Sequence, residues 1–336
     1  MENLILFRVD GGKVWGISLG HVKRSLVLAS ALSRAGKVLF IMKNYPDGVE
    51  YVKNSGFEVI PIEIENNSDE TIIDICEKLE PARLFFDLIK NPYTTIFDYC
   101  RGANIQTVVL DSLGNFSGSP DILINDTIVP SLAEYPAISE HTKLFIGPQY
   151  FIIAGDIYPV EPKPTVENVL LTMGGSDPAG LTVKILRRIA DHFTGYKLNV
   201  VLGPLFTEHQ TVYEIIKGHR NIVVHENPDN FIGLMSRQDA IITAGGRTLY
   251  ECAYLGKPVL IIPSIEHEAL MAEAYAKATG SWFLPAWEDA VSGHRVSEAL
   301  NYYSNNYSIR KAIYQSSIKL IDGNGVERIL GLLGLL

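Results

Sequence analysis

Short apolar runs alternate with helical patterns along almost the whole chain, and this alternation limits the fold more than any other feature. Parallel strands need a crossover between them, and a helix is the usual crossover, so strand–helix–strand repeats build a parallel sheet. In the first half, Leu4–Val9, Lys37–Met42, Phe57–Ile62, Leu84–Phe86, Gln106–Leu110, Asp121–Ile124 and Lys143–Ile146 read as strands. The helix after the first strand turns Val22, Leu26, Ala29 and Leu32 inward and stops at Gly36. Tyr158-Pro-Val-Glu-Pro-Lys-Pro164 then breaks all periodicity, because prolines this dense fit neither a helix nor a central strand. The pattern restarts with Asn168–Met173, Lys197–Leu202, Ile222–Val224, Ala240–Thr243, Val259–Ile262 and Ser281–Leu284. The expected fold is α/β, with an N-terminal domain over 1–155, a linker over 156–167 and a C-terminal domain over 168–336. Two doubly wound, Rossmann-like halves predict a cleft at the carboxyl ends of both sheets.

Two turns in the second half carry the chemistry. Val169-Leu-Leu-Thr-Met-Gly-Gly-Ser-Asp-Pro-Ala-Gly-Leu-Thr182 reads as a buried strand, a glycine turn and a helix start. Asp177 or Ser176 is the expected cap, Pro178 lies just inside the helix, and Leu181, Ile185, Ile189 and Phe193 share one face. Such a turn points backbone N–H groups outward at the positive pole of a helix, which is a seat for an anion such as phosphate. Gly174, Gly175, Ser176 and Asp177 are the candidates there. Ala240-Ile-Ile-Thr-Ala-Gly-Gly-Arg-Thr-Leu-Tyr-Glu251 repeats the arrangement, with Gly245, Gly246, Arg247 and Thr248 at the turn. Glu251, about one helical turn on, is placed to grip vicinal ribose hydroxyls, the alternative being a solvated helix face.

Composition bounds the partners. The 336 residues exceed one ordinary core, and the net charge of −9 with no basic stripe argues against a nucleic-acid polymer. The cysteines, Cys76, Cys100 and Cys252, are odd in number and far apart in apolar surroundings, which fits reduced thiols of a cytoplasmic protein. No signal peptide is evident, and no apolar run approaches the ~20 residues that span a bilayer. No metal-ligand spacing is present, and neither a metal nor a cofactor is expected.

A third element follows the first strand: Arg8-Val-Asp-Gly-Gly, then Leu19-Gly-His-Val-Lys-Arg-Ser-Leu-Val-Leu-Ala29. With both glycine turns, Gly147-Pro-x-Tyr150 and Asp322-Gly-x-Gly325-x-x-Arg328, the chain resembles the UDP-sugar hydrolases of the pseudaminic acid pathway. It also resembles the related spore-coat polysaccharide biosynthesis proteins and, more distantly, the GlcNAc transferase of peptidoglycan synthesis. The resemblance covers most of the chain and implies a GT-B fold. It implies metal-independent cleavage of a UDP-linked deoxy-diacetamido sugar at the anomeric carbon, with free sugar and UDP as products. By position His21 becomes the base that activates water, with Gly20 and Arg24 beside it. A helix start disfavours the imidazolium and keeps a neutral base available. Asp10 is a candidate to orient His21 or to bind a sugar hydroxyl, and Asn125 and Tyr150 are candidates for the sugar side.

The sequence departs from that family in three places. The loop from Arg8 to His21 is two residues longer than usual. Glu268 and Met271 stand where a Gln and an Asn are common, and no Asp-x-Tyr follows the fourth strand, where Phe86-Asp-Leu-Ile-Lys-Asn91 stands instead. His267, with Glu266 or Glu268, forms a polar group in what reads as a loop. The nucleotide side is retained and the sugar side is altered. Two alternatives stay open: a glycosyltransferase using the same donor, with an acceptor hydroxyl in place of water, and a non-catalytic nucleotide-sugar-binding protein. Oligomeric state is not legible. A dinucleotide oxidoreductase is disfavoured, since neither turn is a G-x-G-x-x-G.

Overall fold

The computed structural model describes residues 3–12, 19–65, 67–112, 114, 116–135, 138–153, 155, 157–192, 195–285 and 294–336, without the side chains of residues 132, 192, 267 and 294. The chain divides into two compact units, residues 1–154 with 323–336, and residues 155–322.

In the first unit the elements run β1 (Leu4–Val9), α1 (Gly20–Leu32), β2 (Lys37–Lys43), α2 (Pro46–Asn54), β3 (Glu58–Ile62), α3 (Asp69–Leu79) and β4 (Arg83–Asp87). They continue with α4 (Ile96–Gly102), β5 (Gln106–Asp111), β6 (Ile122–Asn125) and β7 (Lys143–Ile146). All strand pairs are parallel, and the order is β3-β2-β1-β4-β5-β6-β7. The order reverses between β1 and β4. Side chains alternate across a strand, so Phe7, Phe40 and Phe85 lie on one face. There Phe7 stacks at 4.6 Å on Phe85 and at 5.3 Å on Phe40. Phe85 and Asp87 share that face, and this alternation turns the only acidic residue of β4 toward α1.

Helix α1 differs from the expected amphipathic stripe. Val22, Leu28, Ala29 and Leu32 are buried as an apolar seam, but Arg24 and Ser25 are buried with them and Leu26 is only partly covered. Polar residues occupy the inner face because they meet Asp87 there.

In the second unit the elements run β8 (Asn168–Thr172), α5 (Leu181–Ile189), β9 (Lys197–Leu202), α6 (His209–Ile215), β10 (Ile222–Glu226), α7 (Phe231–Ser236) and β11 (Ala240–Thr243). Then come α8 (Thr248–Tyr254), β12 (Val259–Ile261), α9 (Glu266–Thr279), β13 (Trp282–Phe283), α10 (His294–Asn305) and α11 (Tyr307–Leu320). This sheet is also parallel, ordered β10-β9-β8-β11-β12-β13, with its reversal between β8 and β11. Among the described residues each of the thirteen expected strands is present, to within two residues at its ends. The proline stretch has no regular structure, and the guanidinium of buried Arg310 holds its end through the carbonyls of Lys163 and Pro164, both at 2.7 Å. The three cysteines are free and buried.

The C-terminal boundary needs correction. Residues 323–336 pack into the first unit as α12 (Gly325–Leu332), so the second unit ends at Asp322. Ile329 and Leu333 join the core with Val22, Leu28 and Ile152. Gly325 permits this docking, since a Cβ there would lie 2.1 Å from the carbonyl oxygen of Phe151. Arg328 secures it by donating to the Gln149 carbonyl at 3.0 Å. Ile329→Ala should cost about 2–4 kcal/mol as a buried truncation. Calorimetry checks it: the transition of the first unit should fall in temperature while that of the second stays in place.

Candidate active site

His21 stands in the first turn of α1, one residue after its start, and the sheet brings Asp87 to it from the end of β4. The two strands that frame the reversal point therefore supply a pair from opposite sides of it, which is where ligands gather in open parallel sheets. Nδ1 of His21 is 2.5 Å from Asp87 Oδ1. A carboxylate only accepts, so Nδ1 carries the hydrogen, and in the neutral ring the nitrogen left without one is Nε2. The longer contact to Nδ1, from Arg24 Nη2 at 3.4 Å, is secondary.

Asp87 is fully buried and saturated. Arg24 Nη2 and Nε donate to its two oxygens at 2.5 and 2.7 Å, and Ser25 Oγ donates at 2.9 Å. Burial alone pushes a carboxyl upward. Here the charge of Arg24 and the hydrogen bonds from Arg24 and His21 outweigh it and hold Asp87 well below the usual carboxylate range. Asp87 thus orients the imidazole and stays ionised rather than taking its proton. Arg24 also donates to Ser112 Oγ at 2.8 Å and the Leu110 carbonyl at 3.2 Å, and it faces Asp126 at 3.7 Å. The side chain of His21 is 18% exposed, enough for a substrate to reach it.

Other candidates in this unit sit differently. Asp10 does not touch His21; it forms a two-pronged pair with buried Arg8 at 2.6 and 2.8 Å and accepts from the Lys43 N–H at 2.8 Å. Asp10 follows β1, which ends at Val9, and the place against the His21 ring is taken by Asp87. Asn125 is buried, donating to Tyr135 Oη at 2.8 Å and accepting from the Thr127 N–H at 2.8 Å, so its amide holds neighbouring loops. Tyr150 is half-buried and packs edge-on to Phe145 at 5.9 Å against the core. Gly20 begins α1.

In the second unit the two glycine turns follow β8 and β11, again on both sides of the reversal point. Their details differ. Helix α5 begins at Leu181, later than expected, and Pro178 lies outside it; Phe193 is beyond the described residues. Asp177, at φ 45°, turns its carboxylate onto the N–H groups of Leu181 and Thr182 at 2.8 and 2.7 Å. The helix pole read as an anion seat is thus filled by the protein itself. The turn remains open: Gly174 and Gly175 are exposed, a Cβ on either would meet nothing within 4 Å, and among the described residues no acceptor bonds the N–H of Gly175 or Ser176.

At the second turn, α8 starts at Thr248 with no side-chain cap, and half-buried Glu251 lies in its first turn. Arg247 lies over the Tyr250 ring at 5.6 Å. Gly245 has a packing reason of its own, since a Cβ there would come within 2.3 Å of the Glu268 carbonyl oxygen. The segment from Glu266 onward is the start of α9 and not a loop. Glu268 reaches back to Ser264, accepting from its N–H at 2.8 Å and its hydroxyl at 2.6 Å, as a capping carboxylate does. The side chain of His267 lies outside what the structure describes. Among the described residues, no three His, Cys, Asp or Glu side chains group to hold a metal.

The chain aligns at 12% identity with the glycotransferase of kitacinnamycin, covering 99% of both chains with a TM-score of 0.67. With Anabaena Alr3699/HepE in complex with UDP-glucose the identity is 13%, the coverage 99% and 100%, and the TM-score 0.63. At such identities the likeness establishes the fold alone: two parallel-sheet, Rossmann-like units of the GT-B class. Residues 177–281 match the family described as "Protein of unknown function (DUF354)". The chain is 24% identical to the spore coat polysaccharide biosynthesis protein SpsG of Bacillus subtilis, over 96% of each. It is 27% identical to the uncharacterized protein MJ1062 of Methanocaldococcus jannaschii, over 96% of this chain and 70% of that one.

Asp87→Asn should cost about 3 kcal/mol, because buried Arg24 loses its close counter-charge and keeps only Asp126 at 3.7 Å. The wild-type carboxylate is depressed, so its contribution is complete above the unfolded-state value near pH ~4 and is lost as pH falls below it. Urea unfolding between pH 6 and 2 should show a steeper acid loss for the wild type than for the variant.

Proposed function

We propose that this protein acts on a UDP-sugar in polysaccharide biosynthesis, cleaving the anomeric bond by transfer to water. The observation that carries the reading is the His21–Asp87 pair, with its free Nε2, at the reversal point of the first sheet. The likeness to SpsG and the GT-B fold support the substrate class.

In this reading the second unit binds UDP. The N–H groups of Gly175 and Ser176 and the uncapped start of α8, with Gly246, Arg247 and Thr248, take the diphosphate. Glu251 accepts from the ribose hydroxyls. Asp177 contributes by shaping the first turn, not by touching phosphate. The first unit supplies the base. Nε2 of His21 takes a proton from water as the water oxygen bonds to the anomeric carbon. The bond from that carbon to the β-phosphate oxygen breaks, and UDP leaves with its electron pair. Asp87 steadies the imidazolium that forms, and the proton passes on to solvent. Glu268, oriented by Ser264, is an acceptor for a sugar hydroxyl, as the sugar side has lost the expected amides. Solved neighbours include the glycotransferase of kitacinnamycin and the spinosyn rhamnosyltransferase SpnG, which favours a second reading in which an acceptor hydroxyl replaces water at the same base.

Proton NMR of purified protein with a panel of UDP-N-acetylated deoxy-hexoses, without acceptor and in the presence of EDTA, tests this directly. Free sugar and UDP are the expected products. Saturable binding with no release would move the reading to the transferase. His21→Asn should lower turnover by at least about a thousandfold with the Kd for UDP unchanged, and equal loss of both would contradict the base assignment. Glu251→Ala should weaken UDP binding about tenfold by calorimetry; an unchanged Kd would remove it from the ribose.

A further inference from the structure

The first glycine turn of the second unit is backed by a loop that the reaction just described does not use. Strands β8 and β9 run parallel, with Thr172 opposite Val201. Two residues further on, Gly174 and Gly203 come side by side. A Cβ on Gly203 would lie 2.4 Å from the Gly175 carbonyl oxygen, 2.5 Å from that of Gly174 and 2.5 Å from the Gly175 Cα. All three are backbone atoms, so no side chain could turn away to make room. Gly203 is not among the glycines at positive φ, so its own conformation does not call for glycine. Close approach to the turn is the reason a glycine stands there.

That approach decides which way the turn faces. The carbonyls of Gly174 and Gly175 both lie against Gly203. In a trans peptide the N–H points opposite to the C=O. The N–H groups of Gly175 and Ser176 share those two peptide planes, so both point away from Gly203. They are the same two donors that find no acceptor among the described residues. With Gly174 at φ 79°, two successive N–H groups on one side make a concave nest for an anion.

The backing loop is itself held firmly. The Leu205 N–H donates to the Gly175 carbonyl at 2.9 Å, and the Phe206 N–H closes a turn onto the Gly203 carbonyl at 3.1 Å. Pro204 stands second in that turn, where its fixed φ is favoured. The Phe206 side chain is buried in the core of the second unit. We propose that Gly203 is a positioning residue: it lets the β9–α6 loop clasp the carbonyls of Gly174 and Gly175, so that the N–H groups of Gly175 and Ser176 are aimed together at the diphosphate. The proposal rests on the reading in which the second unit binds UDP, and it deepens that reading.

Gly203→Ala is the test variant. It should weaken UDP binding by about tenfold or more in calorimetry, since two charge-assisted hydrogen bonds lose their aim. Ile313→Ala, a buried truncation in α11, lowers the stability of the same unit and should leave the Kd unchanged. An unchanged Kd in Gly203→Ala, or an equal loss in Ile313→Ala, would overturn the proposal. A second readout needs no variant to fold. In wild-type protein labelled with ¹⁵N-glycine and ¹⁵N-serine and assigned by substitution, the amide signals of Gly175 and Ser176 should move together on titration with inorganic pyrophosphate. Movement that Gly203→Ala abolishes supports the positioning role, and a lack of UDP binding in the same protein would then count against the UDP reading alone. Amides that stay still with pyrophosphate and UDP alike overturn the positioning role, and calorimetric binding of UDP to that protein leaves the UDP reading standing.

Discussion

The carboxylate of Asp87 is the group on which the first unit's chemistry depends. It lies at the end of a buried strand, where an unpaired charge would be intolerable, and four donors from three residues of one helix surround it. That arrangement fixes the register of α1 on the sheet, since Arg24, Ser25 and His21 must all reach one point. It explains why an otherwise apolar helix face carries an arginine and a serine. It also fixes the histidine tautomer, so structural and chemical roles of the carboxylate are the same interaction.

Both units use the same principle of parallel sheets. Where strand order reverses, adjacent loops diverge to opposite faces and leave room at the carboxyl edge. In the first unit that edge holds His21 and Asp87; in the second it holds the two glycine turns. The second unit's turns are not equivalent. Asp177 neutralises the pole of α5 with the protein's own charge, while α8 begins without a side-chain cap, so one turn offers an open helix pole and the other only backbone amides.

Much of this was legible in the sequence. Strand existence follows from apolar runs of Val, Ile, Leu and Phe, whose burial on both sheet faces leaves a clear signature. His21 was legible because a Gly-His-x-x-Arg element opens a helix after the first strand. Asp87 was visible as an acidic residue closing an apolar run, but its partner could not be read, since a contact across 66 residues depends on strand order. For the same reason Asp10, nearer in sequence, was the wrong choice to orient the imidazole. The capping role of Asp177 and the helical start at Glu266 escaped because local turn geometry decides them, and the docking of 323–336 onto the first unit depends on tertiary packing around Ile329.

The central claim is that Asp87 fixes His21 with its hydrogen on Nδ1 and leaves Nε2 free as a base. Long-range ¹H–¹⁵N correlation of the histidine rings, with His21 assigned by substitution, tests it most directly. The account predicts that the neutral ring has a protonated Nδ1 and an unprotonated Nε2, with that pattern lost in Asp87→Asn. A ring with its hydrogen on Nε2, or a pattern indifferent to the loss of Asp87, would contradict it.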